Sequence, residues 1–185
     1  MWRSASCLGA AFAMAAAFAM AALAQTARSG PGRVATDAEV KAANFTVMPD
    51  GTGLPPGKGD ARRGKDLFKE KCSACHNEKG EGKENQYPAL AGGTGTLKSK
   101  SPLKTVGSYW PYSTTLFDYI RRAMPYDHPR SLSMDEVYSA SAFVLFLSGV
   151  IGETDEMNEK TLPQVKMPNR DGFIPDSRPD VKSKR

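Results

Sequence analysis

Cys72-Ser73-Ala74-Cys75-His76 is the stretch on which the fold turns. C-x-x-C-H is the attachment sequence of haem c. The spacing has a physical reason. Two thiols add across the two vinyl groups on one porphyrin edge, and the adjacent histidine then lies under the iron, where its imidazole ligates axially. Attachment also removes the entropy of losing the cofactor. The same residues have two other uses. A thioredoxin-like redox pair needs C-x-x-C in a strand-then-helix setting. A zinc site would have to recruit Cys72, Cys75, His76 and His128, whose two halves lie far apart for typical zinc spacing.

Working outward, the motif closes a helix and opens a loop. Gly59 to Cys72 reads as the first helix, with Asp60 as N-cap and Leu67 and Phe68 as its apolar pair. Residues 77–108 are poor in regular structure, because Gly80, Gly82, Gly92, Gly93, Gly95 and Gly107 forbid a long helix. A loop of that length in a compact domain needs a reason, and wrapping a cofactor is one. Ser113 is expected to cap a second helix to about Ala123, with Leu116, Tyr119, Ile120 and Ala123 on one face, stopped by Pro125. Ser133 caps a third, from Met134 to about Ser148, ending at Gly149. Val137, Ala140, Val144 and Leu147 form one stripe of it, with Tyr138, Ser141 and Leu145 beside them, so this helix is expected to be central. The reading is all-α, with no strand-rich region and no internal repeat.

The sixth iron ligand is Met or His in most electron-transfer haems, and Met raises the potential. The candidates are Met124, Met134, Met157, Met167, Met48 and His128. Met124 is best placed, because it follows a helix and opens the loop to the last core helix. The metal ligands are therefore expected to be His76 and Met124. His128 is read as a solvated loop histidine. A proximal histidine usually donates its other ring N–H to a carbonyl. Pro88, in Tyr87-Pro88-Ala89-Leu90, is a plausible supplier; a plain loop proline is the alternative. Trp110 and Tyr112 can reach haem propionates through their polar tips, or simply pack under the loop.

The ends of the chain are a different material. Arg3 and the apolar run Leu8 to Leu23, closed by Ala22-Leu23-Ala24, read as a secretory signal peptide over residues 1–24, cleaved near Ala24/Gln25. The run is short for a span, so no stable membrane insertion is expected after cleavage. Export reduces the three cysteines to Cys72 and Cys75 and places the protein in the periplasm, where disulfides are possible. Net charge is +5, and loss of Arg3 leaves +4, a modest, mixed charge that argues against a nucleic-acid partner and is compatible with steering toward an acidic redox partner. Residues 25–57 and 153–185 read as N- and C-terminal arms, rich in Pro, Gly and polar residues. They flank a core domain over 58–152.

Arg62-Arg63-Gly64-Lys65-Asp66-Leu67-Phe68, the Cys72–His76 motif, Pro88-Ala89-Leu90, Met124-Pro125 and Ala142-Phe143-Val144-Leu145 together resemble the class I cytochromes c. The resemblance implies the class I cytochrome c fold, three to five helices around one covalent haem. It also implies a crossing of first and last helices near Gly64, Phe68 and Phe143, and His76/Met124 ligation. A narrower likeness rests on Trp110-Pro111-Tyr112, on the run from Thr114 to Pro125, on Asp135-Glu136-Val137-Tyr138 and on Met167-Pro168-Asn169-Arg170-Asp171-Gly172-Phe173. These look like the cytochrome c subunits of periplasmic sulfite dehydrogenases and of the sulfane dehydrogenase of the sulfur-oxidising system. In those families the cytochrome takes electrons from a molybdenum subunit. The sulfane-dehydrogenase subunit carries a second haem domain, whereas this sequence holds one C-x-x-C-H, which favours the single-haem sulfite type or a stand-alone relative.

Three functions compete. The first is electron transfer from a molybdenum-containing sulfite-oxidising subunit to a downstream acceptor such as another cytochrome c, with no catalytic residues in this chain. The C-terminal arm, with Lys160, Lys166, Arg170, Arg178, Lys182, Lys184 and Arg185 and the sparse anchors Leu162, Val165, Met167, Phe173 and Ile174, is then expected to touch the partner; wrapping its own domain is the alternative. The second is a free soluble cytochrome shuttling electrons to a terminal oxidase. The third is a haem enzyme such as a peroxidase, which would need an open iron site or a second haem.

Overall fold

The structure, a computed structural model, describes residues 32–174, 176 and 178. The expected signal peptide, Cys7 and the new N-terminus at Gln25 lie outside the described residues, as do Lys182, Lys184 and Arg185. The chain divides into two compact units, Met1–Phe45 and Thr46–Arg185. Among the described residues no helix is long and apolar enough to cross a membrane.

In the first unit, α1 spans Asp37–Ala43, where the sequence reading had only an irregular arm. Its cause is local. Thr36 Oγ1 accepts from Glu39 N at 3.3 Å, and the Glu39 carboxylate accepts from Thr36 N at 2.9 Å. This reciprocal capping box satisfies donors that a helix start otherwise leaves bare. Arg33 pairs with the same carboxylate. The Arg33 guanidinium, helped by Thr36, holds Glu39 down at about 2.

The second unit holds α2 (Ala61–Lys71), the single turn α3 (Ser73–His76), the single turn α4 (Val106–Tyr109), α5 (Ser113–Ala123) and α6 (Met134–Leu147). Two-residue strands β1 (Lys58–Gly59) and β2 (Met157–Asn158) pair antiparallel, with Gly59 opposite Met157. The all-α expectation holds. α6 is the centre: every residue from Val137 to Phe143, with Val144 and Leu145, is buried. Its buried serines are satisfied within the helix, Ser141 Oγ donating to Val137 O at 2.7 Å and Ser139 Oγ to Asp135 O at 2.7 Å. Ser133 caps it as expected, in a second capping box with Glu136.

α2 crosses α6 at Gly64. A Cβ there would sit 2.7 Å from Phe143 Cβ and would run into the Ser139 carbonyl. Absence of a side chain lets the two backbones approach, and one turn further on Phe68 packs on Phe143 with ring centroids 5.2 Å apart. A buried Phe stabilises by roughly 1.5–3 kcal/mol. The crossing implied by the resemblance is therefore present at Gly64, Phe68 and Phe143.

Two local readings of α5 are corrected. The N-cap is Tyr112, which makes no side-chain cap bond. Ser113 is inside the helix, and its hydroxyl donates to Leu162 O at 2.6 Å. Leu116 and Ile120 are buried as expected, but Ser113, Thr114 and Phe117 complete the buried face in place of Tyr119. Phe117 turns the helix, because its ring packs on Tyr138 at 4.5 Å. Tyr119 is left 49% exposed, with Trp110 edge-on against it.

Both flanking segments of this unit are stapled to the helices. Val47 is buried and its N–H donates to Asp118 Oδ1 at 3.2 Å. Tyr138 donates its hydroxyl to Pro55 O at 2.8 Å, and Lys58 N donates to Asp135 Oδ1 at 2.8 Å. On the C-terminal side Met157, Leu162 and Met167 all belong to the buried core.

Candidate haem site

Cys72 joins two helices. Its N–H donates to Phe68 O at 2.9 Å, ending α2, and its carbonyl accepts from Cys75 N at 3.1 Å and His76 N at 3.0 Å, starting α3. One turn of helix therefore places both thiols and the imidazole in a fixed register. Asn77, at φ 57°, reverses the chain, and its side-chain amide donates to Gly82 O at 2.6 Å while Gly82 N donates to His76 O at 3.0 Å. Lys83 Nζ donates to Ala74 O at 2.5 Å. Gly82 has φ 72°, and a Cβ on it would lie 2.7 Å from Pro88 C and Ala89 N. Only glycine lets the returning strand of loop come this close. Leu90 N then donates to Gly80 O at 2.8 Å, which brings Pro88 beneath the histidine.

The result is His76 Nδ1 at 3.4 Å from Pro88 O. A carbonyl on Nδ1 favours the tautomer with its proton there and leaves Nε2 as the free donor to a metal. Burial lowers the His76 pKa, opposed by the Pro88 bond. Cys72 and Cys75 are free, half-buried thiols. Burial pushes the Cys72 thiol up to about 11. A redox-active C-x-x-C needs a depressed thiol, and here the shift runs the other way, on a helix–turn–loop rather than a strand–helix frame.

Met124 is the C-cap of α5, its N–H donating to Ile120 O at 3.0 Å. Its side chain is half-buried against the core. The other thioethers are spent differently. Met157 and Met167 are 4% and 3% exposed, packed by protein on all sides, and Met48 is 49% exposed in a turn. Met134 is half-buried at the start of α6, beside Gly57. The His128 side chain is 76% exposed with Nδ1 3.1 Å from Asp127 Oδ2. Among the described residues no three His, Cys, Asp or Glu side chains gather as a metal cluster, so Cys72, Cys75, His76 and His128 do not assemble for zinc. Trp110 is half-buried, its ring 5.9 Å from Tyr119 and nearly perpendicular to it.

The structure thus brings Cys72, Cys75, His76 and Pro88 together, while Met124 ends α5 and Trp110 lies against the exposed face of that helix. The donor set fits haem c: two free thiols in one turn, an oriented imidazole, and a thioether neither packed away nor solvated. Asn77 and Gly82, which aim Pro88 at His76, escaped the sequence reading. Their signal is an Asn and a Gly closing the turn after a helix. Tyr119 as the partner of Trp110 was assigned to the buried face.

The family model for cytochrome c matches residues 61–148. The crystal structure of the sulfane dehydrogenase SoxCD from Paracoccus pantotrophus is similar, with a TM-score of 0.74 and 42% identity, covering 82% of this chain and 74% of that one. The thiosulfate dehydrogenase of Psychrobacter arcticus is 34% identical over 115 residues, 56% of this chain. The match spans 32% of that relative, about a third of its length.

Proposed function

Because the chain belongs to the cytochrome c family and so carries covalent haem c, we propose that it is the periplasmic electron-transfer subunit of a sulfur-compound dehydrogenase. In this reading Cys72 and Cys75 would form the thioethers, and His76 and Met124 would ligate the iron. Pro88 orients His76. The observation that carries it is the oriented pair of His76 Nδ1 and Pro88 O beside two free thiols on one turn. When bound, haem c supplies a one-electron couple at iron. The residues of the chain would do the rest: the Cys pair would tether the group, Pro88 would aim His76, and Met124 would fill the remaining iron position against substrate and water. A peroxidase-like role is disfavoured by that last point.

Met124→Ala tests the ligand set. Loss of the soft thioether is expected to abolish the near-infrared sulfur-to-iron band and to lower the reduction potential. The reduced variant should bind carbon monoxide, which the parent should resist. A retained band would move the assignment to Met134.

The likeness to sulfane dehydrogenase supports a donor that is a molybdenum subunit oxidising sulfite or a related sulfur compound. Such an oxidation yields electrons in pairs, and this chain accepts one at a time, so a downstream carrier such as another cytochrome c has to unload it between transfers. The charge of the C-terminal arm does not favour it as a steering surface. Its seven basic residues are matched by Glu153, Asp155, Glu156, Glu159, Asp171, Asp176 and Asp180. The segment from Asn85 to Phe117 is different: it has no carboxylate, and Lys98, Lys100 and Lys104 are exposed along it. If these lysines guide the encounter, reduction by the donor slows as ionic strength rises. Lys98→Glu/Lys100→Glu should flatten that dependence. Co-purification of the tagged chain with a molybdenum protein separates this reading from a free shuttle to a terminal oxidase.

A further inference from the structure

α4 is one turn long, too short to persist alone. Its N-terminus is secured by the Thr105–Ser108 capping box, with Thr105 Oγ1 also donating to Gly92 O at 2.7 Å. Its C-terminal carbonyls have no partners within the helix. One of them, Tyr109 O, is met by a residue far along the chain: Asn169 Nδ2 donates to it at 2.7 Å.

The same segment grips both sides of Trp110. Phe173 packs edge-on against Tyr109 with ring centroids 5.2 Å apart. The Arg170 guanidinium lies over the Tyr112 ring, 4.5 Å from its centroid, a cation–π contact. The segment is rooted by Met167, 3% exposed. It is folded tightly on itself, with Gly172 N donating to Asn169 O at 3.2 Å. A Cβ on Gly172 would run into the Asn169 side chain. Between the gripped residues, Trp110 holds its ring against Tyr119, on the exposed face of the helix that Met124 ends.

We propose that Met167–Phe173 is a positioning strap for Trp110, with Asn169 as the residue that fixes it. Asn169 acts through the Tyr109 carbonyl and touches no reacting atom. The strap keeps Tyr109–Tyr112 in one conformation, so that the indole stays seated on Tyr119, on the exposed face of the helix that Met124 ends. Its bearing on the haem rests on the proposed site reading; the seating of the indole does not.

Trp110 reports on itself. The chain has two tryptophans, and Trp2 lies in the stretch expected to be removed on export. Asn169→Asp keeps the shape and removes the donated N–H. In the mature holoprotein this change is expected to raise acrylamide quenching of Trp110 emission severalfold and to shift the reduction potential, with the near-infrared band retained. Phe173→Ala should act in the same direction, and Phe173→Tyr should behave as the parent. Phe173 is 50% exposed, so its variants keep the test open if Asn169→Asp fails to fold. Unchanged acrylamide quenching in Asn169→Asp and Phe173→Ala overturns the strap. Raised quenching with an unchanged potential leaves the strap standing and removes Trp110 from the haem surroundings.

Discussion

Replacing both Cys72 and Cys75 with serine is expected to yield a protein from which acidified organic solvent extracts all of the haem, where the parent releases none. Each single replacement should leave one thioether and shift the reduced visible band toward that of a haem with one vinyl group intact. The double variant is a clean test because serine suits the local backbone. Cys72 sits at the N-cap of α3 with no side-chain cap bond, and serine is among the favoured N-cap residues. His76 and its Pro88 partner are untouched. Loss of attachment is then a loss of thiol chemistry rather than of the turn that presents it. Covalent attachment surviving in the double variant would overturn the assignment of these two thiols.

How much of this was legible in the sequence depended on whether the cause was local. The motif, the caps at Asp60 and Ser133, the Gly149 stop and the apolar surface of α6 are short-range signals, and each is where the sequence put it. The crossing at Gly64 came from a family likeness and not from periodicity. Thr36 and Glu39 carry a capping-box signal, but the Pro and Gly just before it make the segment read as an irregular arm. Leu116 and Ile120 are legible as the buried side of α5, but whether Phe117 or Tyr119 joins them is not, because both are large and aromatic. Only the position of Tyr138 on a distant helix decides which is buried. Pro88 could be proposed as the histidine's partner, but the means of bringing it there are tertiary: the Asn77 amide on Gly82 O and the missing side chain at Gly82. The C-terminal arm was the hardest to read. Its apolar residues are too sparse to suggest a core by themselves, and Met157, Leu162 and Met167 are buried because the rest of the domain supplies the remainder of that core.

Truncation after Gly152 is therefore expected to unfold the domain, not merely to loosen a partner. The cut removes Met157, Leu162 and Met167 from the core, at 4%, 0% and 3% exposure. It also removes β2, leaving Gly59 without its Met157 partner, and strands the buried Ser113 hydroxyl that donates to Leu162 O at 2.6 Å. An unpaired buried hydroxyl costs about 1–3 kcal/mol. Leu162→Ala isolates one part of this loss and should cost about 2–5 kcal/mol, a fall in Tm on the order of 10 °C. Ending the chain after Phe173 should melt with the parent, because the anchors and the strap remain. That shorter cut removes Lys182, Lys184 and Arg185. Unchanged reduction by the donor after it would take the end of the arm out of the docking surface. A protein cut after Gly152 that melts with the parent would show that the three anchors hold nothing, and the arm would again be free to serve a partner.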